Sequence, residues 1–532
     1  MKTFISENKT WLLPLLLFAA SFIVYISGAS SSEIYFYDEA KNSECAREML
    51  EQGNLTIPTF NYDLRTDKPP LHYFFMMISY LVFGVNAFAA RFFSAIFGAL
   101  TILITFLYIR KLSNSQNALA TSLILLSSFH LGLQFHLAVP DPYLIFFITW
   151  SLLLFYSWYL TRKKPEILLF YFAIGMGILS KGPVSAILPI FSAFVFLLIN
   201  KGINLKTIRE LRIIEGILIV AALTIPWYYL AHIHTNGEWT KGFFLDHNMN
   251  RFSGAKEGHG GSFLITIAYV LIGMFPLSVF LFQSIINVKG QKKDSFHIFS
   301  LISASVIILF FGISKTRLPN YTVPAYPFLA FIISTYLTGS IRKRAILIPQ
   351  IIALIISIFI LGGAFYISGY IKEFKEISIY FGVFVFMTSG IIISFFLIRK
   401  YEPIKFLIPV TVGSIISVIF FFSLLFPSMM EQNPVMKSKS ILQDKQNIAY
   451  WHKMNPAFLF SHKKRIQPLY SENDINEYLR ENPDGVIIST NRHVRMNKLP
   501  DTTPLSVIFE SSDIFDPDTT IILKYVAPSS SE

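Results

Sequence analysis

Residues 67–85 read DKPPLHYFFMMISYLVFGV. Whether that run crosses a bilayer fixes which way every later segment points. Its apolar part, Leu71 to Val85, has only 15 residues and carries His72 near its start. A bilayer core of about 30 Å asks for about 20 apolar residues in a helix. Thirteen other apolar runs have helical length: 11–29, 91–109, 118–138, 142–160, 167–180, 183–199, 213–232, 263–286, 297–313, 321–339, 345–368, 379–398 and 404–426.

The basic residues decide how to count 71–85. If it lies in the interface without crossing, one side holds Lys2, Lys9, Arg110, Lys111 and Arg162 to Lys164. The same side then holds Lys201 to Arg212, Lys289 to Lys293, Arg342 to Arg344, and Arg399 to Lys405. Short loops rich in Lys and Arg mark the cytoplasm. If 71–85 crossed, the loops at 110–111 and 162–164 would face outward. The sequence therefore predicts about thirteen transmembrane helices, a cytoplasmic N-terminus, a first outer loop over about 30–90, and a membrane module over 1–427. Residues 428–532 would then lie on the extracytoplasmic side.

Composition agrees. Of 532 residues, 53% are hydrophobic, 53 are Phe and only 15% are charged, against about 25% in soluble proteins. A soluble enzyme, a disordered chain and a disulfide scaffold are excluded, the last because Cys45 is the sole cysteine. The net charge of +12 lies in the membrane loops, because 428–532 has twelve basic and thirteen acidic residues. No basic stripe marks a nucleic-acid surface. The tail reads as a small α/β domain, with a helix over Asn473–Arg480 and strands at 486–488, 505–509 and 520–526.

The spans are essentially free of ionisable side chains, which disfavours ion-coupled transport and polysaccharide or lipid flipping through a polar cavity. Chemistry is expected in the outer loops. Asp38 opens an amphipathic helix expected to lie on the membrane over Asp38–Leu50, as its N-cap, as a general base, or both. Lys68 precedes Pro69-Pro70 at a helix start. It is either a snorkelling lysine or a cation beside free N–H groups that suits an anion. Asp141-Pro142, Lys181-Gly182-Pro183 and Arg317-Leu318-Pro319-Asn320-Tyr321 repeat that junction on the same side. Their convergence suits a lipid phosphate. The loop 233–262 offers His247, Arg251 and His259. They are solvated polar residues, or else His247 or His259 meets Asp67 or Asp38 at a divalent metal ion, although no tight ligand spacing supports the metal.

These residues resemble a family. Tyr37-Asp38-Glu39-Ala40, Asp67-Lys68-Pro69-Pro70-Leu71-His72-Tyr73, Ala90-Arg91-Phe92, Asp141-Pro142, Ser180-Lys181-Gly182-Pro183, Arg251-Phe252 and Arg317-Leu318-Pro319-Asn320-Tyr321 are similar to motifs of polyprenyl-phosphate-dependent GT-C glycosyltransferases. The nearest group holds the protein mannosyltransferases and the lipid A aminoarabinose transferase. The resemblance spans about residues 10–340. It implies a mainly α GT-C fold in a bacterial inner membrane, with interfacial helices in the first outer loop and a periplasmic C-terminal domain. It also implies a polyprenyl-phosphate sugar as co-substrate and a lipid or protein acceptor. By the same resemblance Asp38 is the catalytic aspartate and Asp141 a second acidic position. Lys68, Lys181, Arg317 and Tyr321 contact the donor, Glu39, His72, Arg91 and Arg251 support the site, and Asp67 stands at a metal-binding position. A monomer is expected.

Overall fold

The structure, a computed structural model, describes residues 2–249, 262–287, 295–339, 341–496 and 505–525. Every one of the thirteen apolar runs is helical. Helix α1 covers Lys2–Ile26 and α2 covers Tyr37–Glu51; a hairpin follows, β1 Thr59–Phe60 and β2 Asp63–Leu64. Then come α3 Leu71–Phe83, α4 Ala87–Leu112, α5 Ser115–Ser127, α6 Phe129–His136, α7 Asp141–Thr161, α8 Lys164–Lys181 and α9 Val184–Ile199. Further long helices are Ile213–His234, Ser295–Ile313, Lys343–Tyr370 and Pro403–Phe420. Among the described residues, seven helices are long and apolar enough to cross a membrane, or nine if each of two bent pairs is one span.

The two bends are joined to each other. α5 and α6 meet at 70°, and Phe263–Gly273 meets Leu277–Ile286 at 116°. A broken helix strands carbonyls that must find donors inside the protein. Ser128, at the first break, caps α6 by accepting from Leu131 N at 3.2 Å and donates to Gly273 O, at the second break, at 2.6 Å.

Helix α3 has 13 residues, roughly 20 Å at 1.5 Å per residue, and is too short to span. Its Phe75 stacks with Tyr143 of α7 at 5.5 Å and packs on Phe93 and Phe97 of α4 at 4.8 and 5.2 Å. Those contacts place the start of α3, and so Lys68, beside the start of α7.

Two expectations for α2 need correction. It does not lie on a surface with one wet face. Glu39, Asn42, Ser43, Glu44, Arg47 and Glu48 are buried along with Ala40, Cys45, Ala46 and Met49, because α3, the hairpin and the helix Ala457–His462 pack around it. Its polar residues are internally bonded instead, as Arg47 with Glu44 at 2.8 Å. Phe36, not Asp38, is the N-cap, and Asp38 stands in the first turn.

From Ile448 on, the chain forms a five-stranded mixed sheet of β3 Ile448–Trp451, β4 Gln467–Leu469, β5 Val486–Thr490, β6 Leu505–Ser512 and β7 Thr519–Tyr525, in the order β4-β3-β5-β7-β6. β4, β3 and β5 are parallel, and the β5–β7 and β7–β6 pairs are antiparallel. The helix Glu472–Glu481 buries Ile475, Tyr478 and Leu479 and starts with a Ser471–Asp474 capping box. This unit docks on the first loop. Asn61 donates to Ile466 O at 2.8 Å and accepts from Ile466 N at 3.0 Å, and Lys463 donates to Val85 O at 2.8 Å.

Candidate active site

Two clusters of charge meet where the first loop covers the helix ends. The first is built on Asp67. Arg65 Nε lies 3.3 Å from Asp67 Oδ2, and His247 Nε2 lies 3.2 Å from Oδ1. Burial opposes ionisation of Asp67. The surrounding charges of Arg65, Lys68, His247 and Lys41 outweigh it and hold the carboxyl down at about 2. Lys68 is buried here, immediately before α3. Asp38 is exposed on the first turn of α2, close enough for its charge to bear on Arg65.

The second cluster is built on Asp141, the first residue of α7. Lys181, the last residue of α8, places Nζ 2.7 Å from Asp141 Oδ1 and 5.2 Å over the Tyr321 ring. Tyr321 in turn packs on Phe311 at 4.7 Å. Gly182 follows Lys181 in a left-handed turn (φ +89°), and a Cβ there would fall 2.6 Å from the Phe243 ring. Only glycine both makes that turn and admits the ring. Arg317 donates from Nε and Nη2 to Gly312 O at 3.2 and 2.9 Å, which places it at the end of the helix Ser295–Ile313, where a cation complements the dipole.

His72 ties the clusters together. It is fully buried, its Nε2 is 3.3 Å from Asn42 Oδ1, and its ring lies 3.9 Å from that of Tyr73. Burial, reinforced by the charges of Arg65, Lys68 and Lys181, keeps its pKa well below the usual histidine value. His72 is thus a neutral wall residue on which cations of both clusters act. Glu39 and Arg91 are equally buried and face each other away from solvent.

The sequence reading missed four residues. Lys41 lies one turn after Asp38, with Nζ 4.4 Å from the Tyr37 ring and 5.6 Å from the Phe60 ring; helical spacing from Asp38 carried that signal. Arg65, two residues before Asp67, donates to Asn42 Oδ1 at 3.0 Å. Asn320 donates to Asp141 Oδ1 at 2.8 Å. Arg65, Asn42 and Asn320 gave no signal, since the Arg65–Asn42 and Asn320–Asp141 contacts span 23 and 179 residues of chain.

The metal expectation finds little here. Asp67 and His247 do meet, but in direct contact with each other and with Arg65 and Lys68 nearby. Among the described residues no group of three His, Cys, Asp or Glu side chains is placed to hold a metal ion. Arg65 and Lys68 offer no ligand atom, and Asp67 and His247 alone fall short of the three protein ligands of a catalytic zinc centre. His259 and Arg251 lie outside the described residues.

The chain is thus a helical bundle with two broken helices, a short helix packed in its first loop, and cations gathered beside that helix's start. Residues 67–230 match the family described as dolichyl-phosphate-mannose-protein mannosyltransferase. The fold is similar to the crystal structure of ArnT from Cupriavidus metallidurans bound to undecaprenyl phosphate, with a TM-score of 0.80 at 18% identity, covering 96% of this chain and 98% of that one. It is more distantly similar to the Archaeoglobus fulgidus oligosaccharyltransferase, with a TM-score of 0.52 at 11% identity over 91% and 70% of the two chains. In sequence, the chain is 30% identical over 326 residues to an uncharacterized protein of Aquifex aeolicus (strain VF5), covering 60% of this chain and 63% of that one. It is 29% identical over 357 residues to the undecaprenyl phosphate-alpha-4-amino-4-deoxy-L-arabinose arabinosyl transferase of Yersinia pestis (strain Pestoides F), covering 63% and 62%. The chain thus spans somewhat less than two thirds of the length of these two relatives.

Proposed function

We propose that this protein is a membrane glycosyltransferase. It moves a sugar from a polyprenyl-phosphate donor, such as an undecaprenyl-phosphate sugar, to an acceptor hydroxyl of a cell-envelope glycolipid, protein or glycan. The observation that carries this reading is the placing of Lys68, Lys41 and Arg65 around Asp67, next to the Lys181–Asp141 pair, with Asp38 exposed at the rim. Four cations against three carboxylates, with Arg65 and Lys68 buried, suit a phosphate that gains charge as it leaves.

The chemistry is a single displacement. The acceptor oxygen attacks the anomeric carbon and passes its proton to the carboxylate of Asp38. The bond from that carbon to the phosphate oxygen breaks, and its electron pair leaves with the polyprenyl phosphate. Lys68, Lys181, Arg317 and Tyr321 hold that phosphate, so its departure needs no proton. The sugar inverts.

The reading includes thirteen spans, a cytoplasmic N-terminus, and a site and C-terminal unit (428–532) on the outer side of an inner membrane. The family match over 67–230 supports a polyprenyl-linked donor. The test is to incubate the purified full-length protein in lipid with defined undecaprenyl-phosphate sugars and envelope lipid or protein acceptors, and to follow products by mass spectrometry. Release of undecaprenyl phosphate with a glycosylated acceptor is expected. Vesicles that only redistribute the donor between leaflets, with no product, would overturn the reading.

A further inference from the structure

Asp141 Oδ1 accepts two hydrogen bonds, from Lys181 Nζ at 2.7 Å and from Asn320 Nδ2 at 2.8 Å. Both fall on the same oxygen, so Oδ2 takes none among the described residues. Asn320 and Tyr321 are neighbours in one 3₁₀ turn, Pro319–Ala325. That turn is fixed from within, since Thr322 Oγ1 donates to Pro319 O at 3.0 Å. One short segment therefore meets the ion pair twice: Asn320 bonds the carboxylate, and the Tyr321 ring lies under the ammonium.

This arrangement bears on a conflict in the site. Asp141 is only 5% exposed, and a buried carboxylate stripped of its partner is strongly disfavoured. If Lys181 were its sole partner, an anion that drew the ammonium away would leave Asp141 bare. Lysine has three donors but one charge. Asn320 supplies a neutral N–H that stays with the carboxylate and carries no charge to compete for the anion.

We propose that Asn320 is a positioning residue. It keeps Asp141 bonded and fixed while Lys181 turns from that carboxylate to the phosphate of a polyprenyl-phosphate ligand. The inference rests on the reading above only in taking that phosphate as the anion.

The test uses full-length protein in nanodiscs, with undecaprenyl phosphate as the probe and Asn320→Leu, Asn320→Asp and Asn320→His as variants. Asn320→Leu should raise the Kd roughly tenfold, the worth of a hydrogen bond to a charged group. Asn320→Asp keeps the shape but sets a second carboxylate against Asp141, which ties Lys181 down, so its loss should be larger. Asn320→His offers a ring N–H and should recover binding to within about threefold of wild type. A merely structural role would lower the ligand-free melting temperature and leave the Kd of the folded protein unchanged. That result, or Leu and Asp variants that bind within about twofold of wild type, would overturn the role of Asn320 while leaving the glycosyltransferase reading intact. Wild-type protein that binds no undecaprenyl phosphate would overturn both.

Discussion

Glu39 grips Arg91 through both carboxylate oxygens, at 2.8 and 3.0 Å, and its Oε1 also accepts the backbone N–H of Ala138 at 2.9 Å. Arg91 Nη1 donates to the carbonyls of Ala29 and Ser32 at 2.9 and 2.8 Å. Glu39 is next to Asp38, and Ala138 is three residues before Asp141. One buried ion pair therefore sets the first-loop carboxylate against the second, and ties both to the end of α1.

The first prediction follows from that pair. Arg91 and Glu39 are 3% and 1% exposed, so Arg91→Ala leaves an unpaired buried carboxylate. The expected loss is about 3–5 kcal/mol, read as a fall in melting temperature in detergent. Arg91→Lys should not restore it, because an ammonium cannot make the two-pronged contact. A melting temperature within a degree or two of wild type in Arg91→Ala would refute the structural role.

Glu48 gives a pH dependence. It is fully buried; its Oε2 accepts from Thr59 Oγ1 at 2.6 Å and Tyr62 N at 2.9 Å, and its Oε1 has no partner. Burial raises its pKa from 4.5 to about 7. A carboxyl that holds its proton longer when folded contributes stability at low pH and loses it as pH rises through the folded pKa. Wild-type stability should thus decline between about pH 4.5 and 7 from this group. Glu48→Gln should remove that part of the slope and be the more stable protein above pH 7, by on the order of 1–3 kcal/mol. Parallel stability–pH curves for the two proteins would contradict this.

Orientation is tested by cysteine labelling. Cys45 is fully buried, and burial pushes its thiol up to about 12, so it should resist a polar maleimide even from the outer side. In a Cys45→Ala background, cysteines at Tyr470, Lys163 and Lys343 are all at exposed positions. Outside label at 470 and none at 163 or 343 is expected. Outside label at 163 would sink the thirteen-span orientation.

How far the sequence could be read varied with the kind of signal. The apolar helices were legible because each is an apolar run of helical length, and α3 stood apart by its short length. In the tail, the helix and the strands β5, β6 and β7 were legible from period and turn residues. β3 and β4 were not, because Ile448–Trp451 and Gln467–Leu469 are too short to show a period. Asp38, Lys68, Lys181 and Tyr321 stood out because proline or a helix start singles out the junctions they occupy. Asn320 and Arg65 are defined by contacts across 179 and 23 residues of chain, which no local pattern records. The burial of α2 was hidden for a related reason: its polar residues look solvated until the hairpin and the helix Ala457–His462 close over them.

Asp38 carries the last prediction. It is not the cap of α2; as an exposed carboxylate in a first turn near the positive end of the helix dipole it contributes about 0.3–1 kcal/mol through that dipole. Asp38→Asn keeps the shape and loses one exposed charge, so melting temperature should move little. As the base, by contrast, Asp38 takes the acceptor proton, which an amide cannot do, so turnover should fall roughly 100-fold or more. Binding of undecaprenyl phosphate should persist, because the cations that hold the phosphate are elsewhere. Asp67→Asn serves as the contrast. Its carboxylate is engaged by Arg65 and His247, so losing its charge should disturb donor affinity as well as turnover. Added divalent metal should not restore that variant. If Asp38→Asn transfers sugar at near wild-type rate, the base is another group, and Asp141, with Oδ2 not hydrogen-bonded among the described residues, is the next to substitute.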